Sequence, residues 1–389
     1  MSKPTRIARR MDGIAPFHVM DLLARARAME AGGRHIVHME IGEPDFPTPE
    51  PIIEAGRDAL ARGLTHYTPA LGLPALREAI AGFYRERHGV EVSASRIVVT
   101  PGASGALHLL LAVLVDAGER VLMGDPGYPC NRHLVRLVDG EAVGIPVDAT
   151  SAYQPTPEQV DSHWDARTVA AMVASPSNPT GTVLGRAQLA ALYERVAERG
   201  GSLIVDEIYH GLVYGEHPPT ALAVSDEIFV INSFSKFFGM TGWRLGWLVA
   251  PERYVPALDR LAQNLFLAAP TPAQHAALAA FGSEALAIME SRRRAFQARR
   301  DYLLPALREL GFVIDAEPTG AFYLYAHARR FTDDSFAFAN RLLDEVGVAV
   351  TPGIDFGDHR ANEFLRFAYT TAMPELEEGI RRLRKFLAG

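Results

Sequence analysis

The sequence is poor in several features that would narrow its chemistry. One cysteine, Cys130, stands among 389 residues. That excludes an intrachain disulfide and a cysteine-rich metal site. Such usage fits a reducing compartment, and a cytoplasmic protein is the expectation. No uncharged apolar run reaches the ~18 residues that span a bilayer. The nearest, ALHLLLAVLV at 106–115, reads as a buried helix. The opening MSKPTRIARRMDGIAPFHVM is basic but lacks a long apolar core, so it does not read as a secretory signal. Positive charge is not in excess: the net charge is −7, which leaves no global basic field for nucleic acid. There is no internal repeat, low-complexity tract or long like-charge run. What remains is ordinary for a globular protein, with 48% apolar and 22% charged residues. The length suits two to three domains.

The middle of the chain alternates short β-branched runs with helical patterns. RIVVT (96–100), RVLMGD (120–125), AVGIPVD (142–148), TVAAMVAS (168–175), SLIVDEI (202–208), EIFVINS (227–233) and LGWLVA (245–250) read as strands. Most are continuously apolar, as strands covered on both faces are. Helical stretches such as 103–115 and 186–199 separate several of them. This predicts an α/β domain with a mostly parallel, seven-stranded type of sheet between helices. Beyond Ser283 come an Arg-rich helical stretch (283–310), FYLYAHA (322–328), a helix near 333–346, VAVTP, FLRFAY (364–369) and a helix near 374–388. That predicts a smaller α+β domain. The first 45 residues do not fit the sheet pattern and are expected to pack with it. The expected division is 1–45, 46–284 and 285–389.

Ligands of open α/β sheets bind beyond the carboxyl ends of the strands, so polar residues there draw notice. Asp206 closes SLIVD, with Tyr209 three residues on, and Asn178 lies in SPSNPTG. Ser233, Ser235 and Lys236 follow EIFVIN, and PGASGAL opens a helix after RIVVT. Each has a plain reading beside a chemical one. PGASGAL is a serine-capped turn or an anion site at a helix N-terminus. Asp206 caps the next segment, or it is a carboxylate that needs a cation. Lys236 is a salt-bridged or snorkelling lysine, or an amine of lowered pKa in an apolar pocket, competent to attack a carbonyl. Arg366 interrupts FLRFAY. It is an edge-strand surface residue, or a planar fork for a carboxylate.

Taken together the chemical readings describe one ligand. It carries a phosphate for the 103–105 turn, Ser233, Ser235 and Arg244. It carries an aldehyde for Lys236 and a basic ring nitrogen for Asp206. Pyridoxal 5'-phosphate has all three. No metal is expected.

SFSKFFGMTGWRLGW (233–247) resembles the lysine signature of the class I/II, fold type I, pyridoxal-phosphate aminotransferases. IGEPDFPTPE (41–50), HYTPALGLPALREAI (66–80), DPGYPC (125–130), SPSNPTG (175–181), VDEIY (205–209) and FLRFAY (364–369) match in order and spacing. The nearest likeness is to the aspartate-aminotransferase-like bacterial branch. The resemblance implies that Lys236 is the Schiff-base lysine and proton shuttle, and that Asp206 holds the ring nitrogen. Tyr209 and Asn178 would bond the ring oxygen, and Tyr128 would stack on the ring. Ala103, Ser104, Gly105, Ser233, Ser235 and Arg244 would hold the phosphate. Tyr67 would reach the phosphate of a neighbouring subunit, in a homodimer with active sites at its interface. Gly42, by its backbone, Asn178 and Arg366 would receive the substrate carboxylate.

The implied activity is transfer of an α-amino group from an L-amino acid to a 2-oxo acid, with ping-pong kinetics. A carbon–sulfur β-lyase on the same fold is the alternative. A non-catalytic sensor is a weaker one, since such regulators carry an added DNA-binding domain. GIAPFHVM (13–20) is expected to line the pocket. Neither it nor the stretch 101–115 holds a lysine or arginine, and their histidines are His18 and His108. That favours neutral or aromatic donors over aspartate.

Overall fold

The structure is a computed structural model that describes residues 6–388. The first five residues of the expected N-terminal segment, and Gly389, lie outside the described residues. Eleven strands are formed among the described residues: β1 Val37–Met39, β2 Ile97–Thr100, β3 Arg120–Asp125, β4 Glu141–Pro146, β5 Thr168–Ala174, β6 Ser202–Asp206, β7 Phe229–Ser233, β8 Gly246–Val249, β9 Tyr323–His327, β10 Val348–Pro352 and β11 Phe364–Ala368.

Seven of them make one sheet in the order β2-β8-β7-β6-β5-β3-β4. All pairs are parallel except those of β8, which runs antiparallel to β2 and β7. Its continuously apolar strands follow from what covers them. Successive side chains point to opposite faces, and both faces are dry along β2 and β5–β8, while the edge strand β4 is partly exposed. Val98, Ile204, Ile231 and Leu248 join one core layer, with Leu107, Leu110 and Leu111 of the helix Gly102–Leu114. Their neighbours Val99, Val205, Val230 and Trp247 join the other. The apolar run at 106–115 is therefore that buried helix, and no helix among the described residues is long and apolar enough to cross a membrane.

The remaining strands form a second sheet, β1-β10-β11-β9, with β1 parallel to β10 and the other pairs antiparallel. The sequence reading missed β1. Three residues are too few for a period to show, and the strand forms because β10 supplies its ladder, Val37 opposite Val348. The expected single helix at 333–346 is a helix Ser335–Arg341 that widens into a π turn, Leu342–Val346, before Gly347 at φ 66°. The helix Ser283–Leu310 is one continuous element.

Candidate active site

A cavity of about 260 Å³ opens at the carboxyl edge of the large sheet. Gly42, Ala103, Ser104, Tyr128, Asn178, Asp206, Tyr209, Lys236 and Arg366 all line it. Most of the residues singled out in the sequence thus meet in one place. They come from the start of the helix after β2, from loops after β3, β5, β6 and β7, from the end of β6, from β11, and from the segment after β1.

Asp206 is the last residue of β6 and is buried. The one hydrogen bond its carboxylate accepts among the described residues comes from the Ile208 N–H, 3.0 Å away. Burial pushes its carboxyl up to about 6; that N–H pulls down, Glu207 beside it pushes up, and Lys236 pulls down. A carboxylate so placed gains most from a cationic partner. Lys236 lies just past β7, partly buried, and donates from Nζ to the Gly42 carbonyl at 2.7 Å. Desolvation brings its amine down to about 8, against Glu43 and Asp206, with Arg366 and Arg244 adding to the fall. An amine that loses its proton near neutrality can act as nucleophile or base. Of the 39 lysines and arginines three are lysines, and Lys236 is the one away from the chain ends.

Arg366 sits in the middle of β11, only 2% exposed. Its Nη1 donates to the Asn178 side-chain oxygen at 3.1 Å, and its Nη2 to Thr351 Oγ1 at 3.1 Å and to the Glu40 carbonyl. Its carbon lies 4.3 Å from the centre of the Tyr323 ring and 4.9 Å from that of Phe356. Its Nε is buried with no partner among the described residues. The plain reading of Arg366, an exposed edge residue, does not hold: β10 and β9 flank β11 on both sides.

The helix Gly102–Leu114 starts without a side-chain cap, so its first N–H groups are open to an anion. Arg244 stands against this end. A Cβ on Gly102 would come within 2.7 Å of its Nη2, and one on Gly246 within 2.7 Å of the Ala103 nitrogen. The glycines let β8 and the arginine close on the helix start. Arg244 is itself held in the left-handed region, φ 54°, uncommon for a residue with a side chain. Ser235 is buried nearby in sequence. Ser233 Oγ accepts from the Ser235 N–H at 3.0 Å and donates to the Leu245 carbonyl at 3.2 Å, which closes the turn.

Gly105, Ser233, Ser235 and Arg244 do not line the cavity. Tyr67 does not line it either and is 82% exposed. Others were missed in the sequence. Tyr323 donates to or accepts from the Tyr209 hydroxyl at 2.8 Å and lies under Arg366. A Cβ on Gly42 would fall 1.9 Å from the Tyr323 hydroxyl, so glycine is required there. The register places Arg366 opposite Tyr325 and diagonal to Tyr323, and only that register reveals the pair. Glu40 and Thr351, which brace Arg366, carry no signal of their own in the sequence.

These features fit a small anionic group at the helix start, a carbonyl at Lys236 and a cation at Asp206. Comparison with known proteins shows the family. Residues 34–383 match the family model of aminotransferase class I and II. The chain is 40% identical to a valine–pyruvate aminotransferase of Mycobacterium tuberculosis, over 96% of this chain and 97% of that one. It is 35% identical to an aspartate/prephenate aminotransferase of Thermus thermophilus, over 98% of each. Among solved structures, an aminotransferase from Mycobacterium tuberculosis superposes with a TM-score of 0.95 at 40% identity, covering 99% of each chain. The aspartate aminotransferase from Thermus thermophilus with maleate gives 0.93 at 34% identity, covering 98% of this chain and 99% of that one. An uncapped helix start, a deprotonatable lysine and a buried arginine around one cavity are therefore set in an aminotransferase fold, and the chain belongs to the class I and II aminotransferases.

Proposed function

We propose that the protein moves the amino group of an L-α-amino acid to a 2-oxo acid, with pyridoxal 5'-phosphate held in the cavity. When bound, this cofactor supplies a carbonyl that takes up the amino group and a ring that withdraws electrons from the α-carbon. The observation that carries the proposal is the Lys236 amine, brought down to about 8 in the cavity it shares with Asp206 and Arg366.

The side chains divide the work. The N–H groups of Ala103, Ser104 and Gly105, with Ser233, Ser235 and Arg244, hold the phosphate. Ser233 would turn its proton from Leu245 to do so. Asp206 keeps the ring nitrogen protonated, and the positive charge brings its own pKa back down. Tyr209 and Asn178 bond the ring oxygen, and Tyr128 covers the ring. Lys236 would hold the cofactor's carbonyl carbon through its amine, with loss of water. Its free amine would take the proton from the substrate's α-carbon and later return one. Arg366 and Gly42 orient the α-carboxylate, a contribution of proximity. No observation favours the elimination chemistry weighed above.

We further propose a cytoplasmic homodimer, in which Tyr67 of each copy reaches the other's phosphate; its 82% exposure supports an interface role. The division at 45/46 and 284/285 is part of the same reading, supported by β1 joining the sheet of the C-terminal strands.

The test is direct. The purified protein should absorb visible light, and adding an amino acid should shift the band. Borohydride should fix the cofactor to a peptide containing Lys236. Lys236→Ala should lose the fixed label and nearly all turnover. Full activity in that variant would sink the assignment.

A further inference from the structure

Resting on the reading above, we infer that the amino donor carries an apolar side chain and that Phe17 is the wall that limits it. With the carboxylate at Arg366 and the amino group at Lys236, the donor's side chain meets what is left of the cavity. That remainder includes Phe17, Val19, Met20, Ile41, Leu107 and Ile208, all apolar. Among the described residues, Lys236 and Arg366 are the only lysine or arginine on the cavity wall. The acidic residues there, Asp206 and Glu43, offer a second carboxylate nothing. His18 is no substitute. Its ring lies 5.0 Å from that of Phe336, and it does not line the cavity. A distal carboxylate would give up water for hydrocarbon, which is costly without a partner.

The wall is held in place from the far end of the chain. Phe17 precedes the helix His18–Ala31, which has no cap of its own. The Asp355 carboxylate takes that role, accepting from the His18 N–H at 3.0 Å and the Val19 N–H at 2.9 Å. Phe17 is thereby fixed edge-on to Tyr128, ring centres 6.5 Å apart. A wall set before binding spares the donor the cost of ordering it.

The experiment measures kcat/KM of the holoenzyme for valine, leucine, methionine and phenylalanine against aspartate and glutamate, with pyruvate as acceptor. The best apolar donor should exceed both acidic donors by at least about tenfold. A smaller ratio, with turnover intact, overturns the inference and leaves the cofactor reading standing. No turnover and no shift of the visible band with any donor would strike the cofactor reading, and the inference with it. Phe17→Ala should raise KM for the preferred apolar donor by about tenfold or more, from lost apolar contact. Phe17→Leu keeps hydrocarbon at that place and should retain the preference over acidic donors. Unchanged KM in Phe17→Ala, or a collapse of the preference in Phe17→Leu, would remove Phe17 from its role.

Discussion

Replacing Arg366 with lysine keeps one positive charge and removes a planar fork. Arginine carries five N–H donors and lysine three. Three of the arginine's are committed to Asn178, Glu40 and Thr351. The remaining two, one of them on the unpartnered Nε, have no acceptor among the described residues. A lysine that satisfied the same three acceptors would have no donor left for substrate. It would also lose the stacking between Tyr323 and Phe356. Two charge-assisted bonds, partly offset by the retained charge, put the loss at about 2–5 kcal/mol. That is a factor of about thirty to several thousand in kcat/KM. The assay compares wild type and Arg366→Lys on an α-amino acid and on the amine formed by its decarboxylation. The amine never uses the contact, so its slow rate should be little changed. Equal losses on both compounds would refute the reasoning and assign Arg366 to the fold alone.

Asp206 offers a test by pH on the cofactor-free protein. Its pKa, raised by burial to about 6, means the native state keeps a proton that the unfolded chain has lost between about pH 4 and 6. Stability therefore falls as pH rises through that window, and the cost is fully present above it. Asp206→Asn should unfold with wild type at pH 4 and lie above it at pH 8 by about 3 kcal/mol; the same gap at both pH values would contradict this. Tyr323→Phe removes the hydroxyl that meets Tyr209 at 2.8 Å; it should cost about 1–2 kcal/mol in urea unfolding and lower turnover several-fold, and no change in either would show the pair idle. Sedimentation should find a two-fold dimer, and a fully active monomer would contradict the role of Tyr67.

The large sheet was legible because most of its strands are dry on both faces. Seven apolar runs separated by helical spacing leave little choice of class, and their parallel course puts the polar strand ends on one edge. Lys236, Asp206 and Asn178 could be found for that reason. Arg366 was legible because a charge in the middle of FLRFAY breaks an apolar run. What the sequence did not carry depends on pairing at a distance. β1 has no period of its own and exists through β10. Tyr323 looks like any strand aromatic until β9 and β11 are in register. Asp355 is an ordinary loop aspartate until the helix start at His18, more than three hundred residues earlier, needs an acceptor.

The use of cations follows one rule through the molecule. Arginine cannot give up its proton in a protein, so it serves wherever a permanent charge is enough. Arg299 pairs with Asp45 at 2.8 Å, Arg96 binds the Ala250 carbonyl at 2.9 Å, Arg366 lies on the cavity wall and Arg244 stands against the helix start. Lys236 stands where a charge that can be put down is required. Burial lowers its pKa, Arg366 and Arg244 lower it further, and Glu43 and Asp206 stop the fall at about 8. On the proposed reading, the same two arginines that would hold the ends of the ligand also help to free the amine between them. A phosphate and a carboxylate bound there would neutralise those arginines and return basicity to Lys236 when it has a proton to take.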